Sequence, residues 1–476
     1  MNDKFNIMKI TAVSCLVVAL FSGCARFEPQ TISPAATAAR YEARTLDNPD
    51  LLAFIQKNSQ REVVPWPLPQ WDFDLLTLAA FYYHPDLDVA RAKWGVAQAS
   101  LSTAGMRPNP SINLNAQRNA DAPSGTSPWT VGLNLDIPIE TAGKRGYRID
   151  QARYLSEAAR LAIASTAWQV RSRVRSTLLD LHFAQQTQTV LLQQQTLQQN
   201  NVALLEHRLA FGMASQPEVT QARLALNQTA LAFNETLKLQ AEARAKIASA
   251  LGVSSKAIES IPISSDIFAS IPELPAMEVR QQALLGRPDI LSALAEYAAS
   301  QSALQLEIAK QYPDLHLGPG YSWDAGARKW SLGLSLVLPI FNQNQGPIAE
   351  AKATRLHAMA NFNAIQARAI SEIDAGLAGY QFVQAKLAAA DALLAAQNKQ
   401  LQNMKASFKV GATDKVALLG TQLEMSQIEL ARIDILAKTQ QALGALEDSV
   451  QRPLIAPALQ ADAIQENPRQ TKEHNQ

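Results

Sequence analysis

Cysteine is almost absent from this chain of 476 residues, which contains only Cys15 and Cys24. Both lie within the first 24 residues, so a framework of disulfides is excluded from the rest of the chain. An excess of one charge is lacking too, because 43 Lys and Arg residues stand against 42 Asp and Glu residues. The sequence therefore gives no indication of a nucleic-acid partner.

Long hydrophobic runs are also missing. No run of 18 apolar residues occurs after the N-terminus, which argues against a helical membrane protein. The N-terminus carries Lys4 and Lys9 before an apolar stretch over 10–21, which is too short to span a membrane and is typical of an export signal. Either Met1 or Met8 could be the start.

The export signal ends in the sequence LFSGC at residues 20–24. This resembles the lipobox of bacterial lipoproteins, which implies a signal peptide over 1–23 and a lipidated Cys24. Ala25, rather than Asp, follows the cysteine, and by the same resemblance this favours an anchor in the outer membrane. An ordinary signal peptide is the alternative.

Proline is missing from two long stretches. None of the 24 prolines falls between Pro138 and Pro217 or between Pro347 and Pro453. Since proline breaks helix interiors, these stretches predict long helices, and the roughly 65 residues of each first helix would reach about 100 Å. Each first helix is predicted to end at a glycine turn, Gly212 or Gly411, after which a second helix returns.

What the chain does contain is one pattern written twice, about 200 residues apart. The segment HPDL at 84–87 recurs as RPDI at 287–290, an offset of 203 (288 minus 85), and the segment 129–139 recurs as 330–340, an offset of 201 (330 minus 129). The second pair keeps Trp, Gly and Pro in register. The spacing predicts a duplicated unit rather than an array of short repeats.

Each copy contains a predicted strand hairpin, at about 111–139 and 314–340. Apolar residues alternate with polar or small ones, and each strand is about 9 to 11 residues long, enough for a tilted strand to cross a bilayer. Trp129, Trp323 and Trp330 lie near strand ends, where an aromatic girdle is expected. A sheet on a soluble core would alternate in the same way and is the alternative.

The predicted return helices carry heptads built largely from small and polar residues, which favour close packing of helices in a wide tube over a dry zipper. An ordinary amphipathic pair is the alternative. The heptad positions are Val219, Ala222, Leu226, Thr229, Phe233, Thr236, Gln240, Ala243 and Ile247, then Val416, Leu419, Leu423, Ser426, Leu430, Ile433, Ala437 and Gln440.

Composition changes set the predicted domain boundaries. A Pro-, Ala- and Asn-rich tether is predicted over 24–73, and a single helix from about Asp74 to Gly105 opens the first repeat. The full division is a first repeat at 74–252 with helices over about 147–251, a linker or collar at 253–279, a second repeat at 280–452 with helices over about 347–450, and a disordered polar tail at 453–476.

The predicted fold class is mainly α with a contribution to a transmembrane β-barrel. Four strands per chain cannot close a barrel, and an open sheet edge cannot lie in lipid, so the chain is predicted to oligomerise. Three copies give twelve strands, continued by a helical tunnel across the periplasm. The lumen would be lined by Asn113, Asn115, Asn134, Asp136 and Ser335.

The lipobox, the duplicated unit of helix, hairpin and long helix pair, and the glycine turns resemble the outer membrane efflux proteins typified by TolC, over about residues 70–452. The resemblance implies a homotrimeric duct of a tripartite system, working with a periplasmic adaptor and an inner-membrane RND-type pump. The segment DIPIETAGKR at 136–145 is similar to one in heavy-metal efflux members. Metal cations or small toxic compounds are therefore the expected cargo.

The resemblance also places the helix turns at the periplasmic end, where the adaptor docks and the pore narrows. Some family members close that end with a ring of aspartates, but Ala417 and Gly420 stand at the matching positions here. Closure by charge would then rest on Glu218, Asp414 or Lys415, which otherwise are solvated turn residues. The implied adaptor contacts are Phe211, Gly212, Met213, Val410, Gly411 and Ala412.

No enzyme signature, cofactor motif or metal-ligand spacing is present, and His182 and His207 are interpreted as surface helix residues. The GPG segment at 318–320 is interpreted as a β-bulge rather than a phosphate loop. The sequence leaves two other functions open: a periplasmic coiled-coil lipoprotein that only scaffolds, and the exit duct of a type I secretion system.

Overall fold

The computed structural model describes residues 26–59, 63–268, 271–272 and 285–454. Met1–Arg44 form one compact unit, whose described part contains helix α1 (Pro34–Glu42), capped by the Ser33 side chain. The remaining residues form a second unit. The predictions for Cys24 and for residues 455–476 lie outside the described residues.

The second unit opens with helices α2 (Pro49–Asn58) and α3 (Phe73–Tyr83) and then contains the two repeats. The first repeat comprises α4 (Pro85–Gly105), β1 (Ser111–Arg118), β2 (Trp129–Ile139), α5 (Lys144–Ala210) and α6 (Gln216–Leu251). The second comprises α7 (Pro288–Ala309), β3 (Leu315–Asp324), β4 (Ala327–Leu336), α8 (Gln345–Lys409) and α9 (Lys415–Val450). The predicted mainly helical fold with two hairpins is confirmed.

The duplication is visible in the backbone at the start of each repeat. His84 and Arg287 both act as N-caps with nearly the same dihedral angles, φ −69° and ψ 124° against φ −65° and ψ 124°. The prediction of one helix from Asp74 to Gly105 was wrong, because the residue before a proline is held out of the helical conformation. His84 instead ends α3 and accepts the Asp86 N–H through Nδ1 at 3.2 Å.

The described part of the segment predicted as a tether contains two helices, α1 and α2. Pro49 begins α2 rather than interrupting it, since proline suits the first turn of a helix. Leu51 and Ile55 are fully buried. Trp71, also buried, exchanges backbone hydrogen bonds with the collar: its N–H donates to the Pro262 carbonyl and its carbonyl accepts from Ser264.

The hydrophobic core surrounds the middle of α5. Val170, Val174 and Leu178 of this helix have at most 1 % of their surface exposed, and they belong to one cluster with α2, α3 and the end of α6. Phe268, from the collar, completes the cluster. The core therefore lies near the middle of α5. Towards the glycine turns, each long helix packs against its own return helix.

The two long helix pairs match their predicted boundaries within three residues. α5 and α8 contain 67 and 65 residues, so each is about 100 Å long. Every predicted heptad position of α6 and α9 is buried or half-buried. Among the described helices, none combines the length and the apolar character needed to cross a membrane.

The four strands form one antiparallel sheet in the order β1-β2-β3-β4, so β2 of the first repeat pairs with β3 of the second. The predicted bulge at Pro319 was wrong. Asn134 pairs with Gly320 and Ile137 with Leu317, so two residues of β2 stand opposite two of β3 and no residue is inserted. Because proline has no N–H to donate, the hydrogen-bonded pairing of β2 with β3 is interrupted at this position.

Candidate functional site

One face of the sheet is polar along all four strands. Asn113 lies directly opposite Asn134, and Ser335 lies opposite His316. The His316 Nδ1 atom is 3.0 Å from Asp136 Oδ1. The five residues predicted to line a lumen therefore share this face.

Two residues of the polar face were missed by sequence reasoning. His316 lies in the alternating segment Leu315-His316-Leu317, and that alternation was the available signal. Gly320 makes room for its neighbours, because a Cβ there would lie 2.1 Å from Asn134 Oδ1 and 2.5 Å from Ser331 Oγ. Gly320 thus allows the polar side chains of Asn134 and Ser331 to approach each other on this face.

The opposite face of the sheet is apolar and open. Ile112, Leu114, Leu332 and Leu334 each expose between 64 and 73 % of their surface. Trp330, near the turn of the second hairpin, packs on Tyr321 with ring centroids 4.8 Å apart. An exposed apolar area of this kind marks contact with a membrane or a partner rather than with water.

The first repeat leaves the sheet through a charged junction. Lys144, only 7 % exposed, donates from Nζ to Asp314 Oδ1 and to the Tyr312 carbonyl, both at 2.7 Å. The Thr141 N–H donates to the same Asp314 oxygen at 2.9 Å. Arg148 pairs with Glu140 beside them. Lys144 and Asp314 belong to different repeats, so this junction joins the two repeats where the strands meet the helices.

The helix turns have the geometry that the glycine prediction required. Gly212 and Gly411 adopt φ +71° and +74°. The Met213 N–H donates to the Arg208 carbonyl at 2.8 Å, the six-residue bond of a Schellman motif, and the Ala412 N–H donates likewise to Ser407 at 2.9 Å. The turns expose apolar side chains to solvent, namely Phe211, Met213 and Val410.

The charged residues at the tips are engaged in helix capping. Glu218 accepts the Ser215 N–H at 2.6 Å, and Asp414 accepts the Ala417 N–H at 2.9 Å. Arg208, which sequence reasoning missed, donates to Asp414 Oδ2 at 2.9 Å and so joins the end of α5 to the start of α9. Lys415 is exposed at the first position of α9.

These caps set the charge of the tips. The backbone N–H of Ser215 holds the pKa of Glu218 below its ordinary value. The Ala417 N–H, followed by the Arg208 guanidinium, lowers the pKa of Asp414. Both carboxyl groups are therefore ionised at neutral pH, and both complement the positive end of a helix dipole.

A buried cluster of polar side chains lies near the middle of α5 and was not predicted from the sequence. Arg171 and Arg175 of α5 both approach Glu447 Oε2 of α9 at 3.4 Å, and all three side chains are at most 6 % exposed. Burial raises the pKa of the neighbouring Asp448, which accepts hydrogen bonds from Ser172 and Trp168. The cluster joins the first repeat's long helix to the second repeat's return helix.

Within the residues that the structure describes, no group of three or more His, Cys, Asp or Glu side chains is arranged to hold a metal ion. His182, predicted as a surface residue, is half-buried and lies 2.6 Å from Ser265 Oγ. Burial lowers its pKa. The His207 ring packs at a tilt against the Phe211 ring, with centroids 4.8 Å apart.

The sequence resembles curated proteins from metal-resistance and other efflux systems. It is 26 % identical over 268 residues to the cobalt-zinc-cadmium resistance protein CzcC of Cupriavidus metallidurans, a match covering 56 % of this chain and 62 % of that protein. It is 25 % identical to the outer membrane protein OprJ of Pseudomonas aeruginosa, covering 90 and 93 %.

The cation efflux system protein CusC of Escherichia coli K12 is 24 % identical, covering 65 % of this chain and 70 % of CusC. The fold is also that of a CusC crystal structure, with a TM-score of 0.64 at 19 % identity over 90 % of this chain and all of that one.

The family model described as outer membrane efflux protein matches residues 80–253 and 279–450. These two ranges are the two repeats seen in the fold, and they include both hairpins and both long helix pairs. This chain belongs to the outer membrane efflux protein family.

Proposed function

We propose that this protein is the outer-membrane exit duct of a tripartite efflux pump. The observation that carries the proposal is a sheet that has one polar face, one open apolar face and, among the described residues, a free edge on each outer strand, and that is continued by helices about 100 Å long. A duct needs a wet inner surface, a greasy outer surface and enough length to cross the periplasm. No catalytic step is part of this proposal.

The outer strands β1 and β4 support a homotrimer. In lipid, an unpaired strand edge costs several kcal/mol for each unsatisfied backbone group, so the sheet must close. Three copies supply twelve strands, which is within the range of bacterial barrels. Asn113, Asn115, Asn134, Asp136 and Ser335 then face the lumen, and the leucines of the other face contact lipid.

The tips of the helix pairs are the proposed docking end for a periplasmic adaptor, which would join the duct to an inner-membrane RND-type pump. Exposed apolar residues on two left-handed turns support this assignment, since solvent alone does not require them. At the same end, Asp414, Glu218 and Lys415 would set the charge of the constriction. The contact surface is formed by Phe211, Gly212, Met213, Val410, Gly411 and Ala412.

Metal cations are the proposed cargo class, with small toxic compounds as the second. Similarity to CzcC, a cobalt-zinc-cadmium resistance protein, and to CusC, a cation efflux system protein, supports the first. The polar face supports passive conduction, because it offers single hydrogen-bonding side chains rather than a coordination site. Selection of the cargo would then rest with the pump.

We also propose that Cys24 is lipidated and anchors the chain in the outer membrane. Radiolabelled palmitate should label the wild-type protein and should not label Cys24→Ser. The barrel is an independent anchor, so we expect the trimer to survive this substitution. Labelling of the serine variant would refute the modification at this residue.

The experiment that tests the duct is the comparison of oligomer and conductance in one preparation. Protein extracted from outer membranes should run as a heat-resistant trimer in detergent and should form steady pores in planar bilayers. A monomer without conductance would instead support a scaffolding lipoprotein. Deleting the chain should sensitise cells to metal salts, whereas loss of protein export would support a type I secretion duct.

A second experiment tests the docking end. Gly411→Val places a β-branched side chain at φ +74°, which should distort the turn. We expect Gly411→Val to leave the trimer intact and to abolish resistance to the exported compound. Normal resistance with normal trimer levels would show that the adaptor docks elsewhere.

A further inference from the structure

The chain passes from the sheet into a long helix twice, after β2 and after β4. We call these two junctions the first and the second exit, and they occupy equivalent positions in the two repeats. Each long helix begins after a residue in the left-handed conformation, Gly143 at φ +74° and Asn344 at φ +62°. These residues lie 201 positions apart (344 minus 143), the same offset as the strands that precede them. Lys144 therefore corresponds to Gln345.

The first exit is covered by the second repeat. β2 remains paired to its last residue, where Ile139 lies opposite Leu315. Beyond the strand, Lys144 is buried and holds Asp314 at 2.7 Å. We call such a contact between an exit and the neighbouring strand a seam. The seam at the first exit lies within one chain and is held by an ion pair.

The second exit is open. β4 ends at Leu336, although the residues that continue it correspond to the paired end of β2. Leu338, Ile340 and Phe341 expose 63, 68 and 101 % of their surface. The chain therefore shows the same exit once with its partner strand and once without it.

The partner missing from the second exit is identified by the repeat. The residue corresponding to Asp314 is Ser111, at the offset of 203 (314 minus 111). Ser111 begins β1, which pairs with β2 on one side and has a free edge on the other among the described residues. Gln345 and Ser111 are both exposed and uncharged. The equivalent of the ionic seam is thus a neutral pair whose two halves lie on opposite edges of the sheet.

We propose that charge distinguishes the two seams of the sheet, the ionic one within a chain and the neutral one between chains. The Lys144–Asp314 pair marks the seam within a chain, and Gln345 of one copy against Ser111 of the next marks the seam between chains. This inference rests on the proposed trimer and adds what keeps its strands from exchanging partners.

The charge difference acts by penalising exchanged partners. If β2 of one chain met β1 of another, the Lys144 ammonium would be buried against Ser111 without a carboxylate. If β4 met a foreign β3, Asp314 would face Gln345 instead of its ammonium partner. Burial of the Lys144 ammonium without a carboxylate is strongly unfavourable, whereas the correct arrangement leaves it paired with Asp314.

The same equivalence fixes the register between copies. Ile139 opposite Leu315 becomes Ile340 opposite Ile112, and in an antiparallel pair this places Ser335 opposite Gln117. Ser335 lies on the polar face, as does Gln117, which pairs with Thr130. A shift by one residue would place polar side chains against apolar ones, so the pattern agrees with this register.

Disulfide trapping tests the interface, since the only native cysteines are Cys15 and Cys24. Gln117→Cys with Ser335→Cys should give cross-linked dimers and trimers under mild oxidation of intact outer membranes. The control pair Asn115→Cys with Ser335→Cys is displaced by two residues and should give far less product. A trimer that cross-links only through the displaced pair, or through neither, would overturn this inference and leave the proposed duct standing. A wild-type chain that forms no trimer would overturn both.

The role of charge has its own test. Lys144→Gln with Asp314→Ser makes the seam within the chain identical in residue type to the seam between chains. Cysteines at Asn134 and Gln117 report exchange, because the exchanged strands would place them opposite each other. Within one chain, Asn134 pairs with Asn113, so Gln117 is about 13 Å further along the strand.

We expect the exchange cross-link to appear in the neutral variant and to be absent from the same cysteines in the wild-type background. The matched control is Arg223→Gln with Glu206→Ser, which removes an exposed ion pair elsewhere and should give no exchange. A neutral variant that shows no exchange and a normal Gln117–Ser335 cross-link would refute the role of charge.

Discussion

The two long helices α5 and α8 are nearly equal in length and occupy equivalent places in the repeats, yet their surroundings differ. α5 packs against α3, α4, α6, α7 and α9, and its buried side chains run from Lys144 to Val202. α8 packs against α7 and α9, and its first buried side chain is Ala369, more than six turns from its start.

The difference between these helices shows which apolar surface is covered within one chain and which is left exposed. α8 leaves Leu356 and Phe382 exposed by 56 and 74 %. Where exposed apolar side chains lie together on a surface, they mark a place for contact with a partner. In the proposed trimer, α8 would be covered by the neighbouring copy much as α5 is covered within the chain.

The largest expected effect on the free energy of unfolding comes from removing a carboxylate that pairs with buried arginines. Glu447→Ala should cost about 3 to 5 kcal/mol of unfolding free energy, because it leaves Arg171 and Arg175 of α5 buried without their carboxylate. On α8, Glu372→Ala removes a carboxylate that is 44 % exposed and leaves Arg287 paired with Asp289. We expect a loss of about 1 kcal/mol or less there.

Urea unfolding of the detergent-solubilised protein, followed by circular dichroism, measures both losses. Each variant should keep the wild-type slope with denaturant, so that the shift in midpoint reports stability. Equal losses for Glu447→Ala and Glu372→Ala would contradict the view that α5 is buried within one chain while α8 is largely exposed.

The two faces of the second hairpin provide the next contrast. Leu334→Arg puts a charge on the proposed lipid face and should cost about 2 to 4 kcal/mol near the middle of the bilayer. Ser335→Arg puts it on the polar face and should mainly change the conductance. Trimer yield in the outer membrane and single-channel current separate these effects, and equal tolerance of both substitutions would mean that the hairpin does not contact lipid.

The ends of the return helices give a smaller contrast. α6 and α9 both end at a left-handed residue, Gly252 at φ +77° and Gln451 at φ +49°. A Cβ at Gly252 would lie 2.8 Å from the Tyr83 carbonyl oxygen, so Gly252→Ala adds a clash to the strain and should cost about 2 kcal/mol or more.

Gln451→Gly should change stability by less than about 1 kcal/mol, because relief of the left-handed strain is offset by the greater entropy of the unfolded chain. Thermal unfolding of both variants checks the pair of predictions. A tolerated alanine at Gly252 would show that the contact with the start of the first repeat is loose.

The smallest effect concerns the tip of the second repeat and depends on pH. The pKa of Asp414 is lowered in the folded state, so its cap contributes stability above the ordinary pKa of an aspartate and loses it as the pH falls through the lowered value. A complete loss of such a cap costs about 1 kcal/mol.

Asp414→Asn is the matched control for the tip, since an amide still caps the helix but does not titrate. Amide hydrogen exchange of the peptide that contains Ala417, corrected for the intrinsic rate, should show protection that falls with acid in the wild type only. The same acid dependence in both proteins would assign the fraying to another group.

The sequence predicted the elements whose signals are local or repeated. Absence of proline predicted α5 and α8, alternation predicted the four strands, and the glycines predicted both turns. It did not predict helix α2 inside the segment interpreted as a tether, because proline marks turns and extended segments but also begins helices, as Pro49 does here.

Contacts between distant segments could not be predicted from local patterns. Trp71 joins the collar, and Arg208 reaches Asp414 across more than 200 positions. Arg171, Arg175 and Glu447 form a buried cluster that was not singled out from the sequence. Nothing in helix periodicity distinguishes a solvated arginine from one that is buried against another repeat.

The central pairing of the sheet has a consequence for how the chain is made. β2 and β3 meet across a large interval of sequence, with Asp136 and His316 separated by 180 positions. At ordinary rates of translation, the second hairpin follows the first by roughly 10 to 40 s. During that time β2 has an unsatisfied edge, and such edges invite pairing with other chains. The interval in which the first hairpin needs protection is thus set by the length of the helices between the strands, not by the strands themselves.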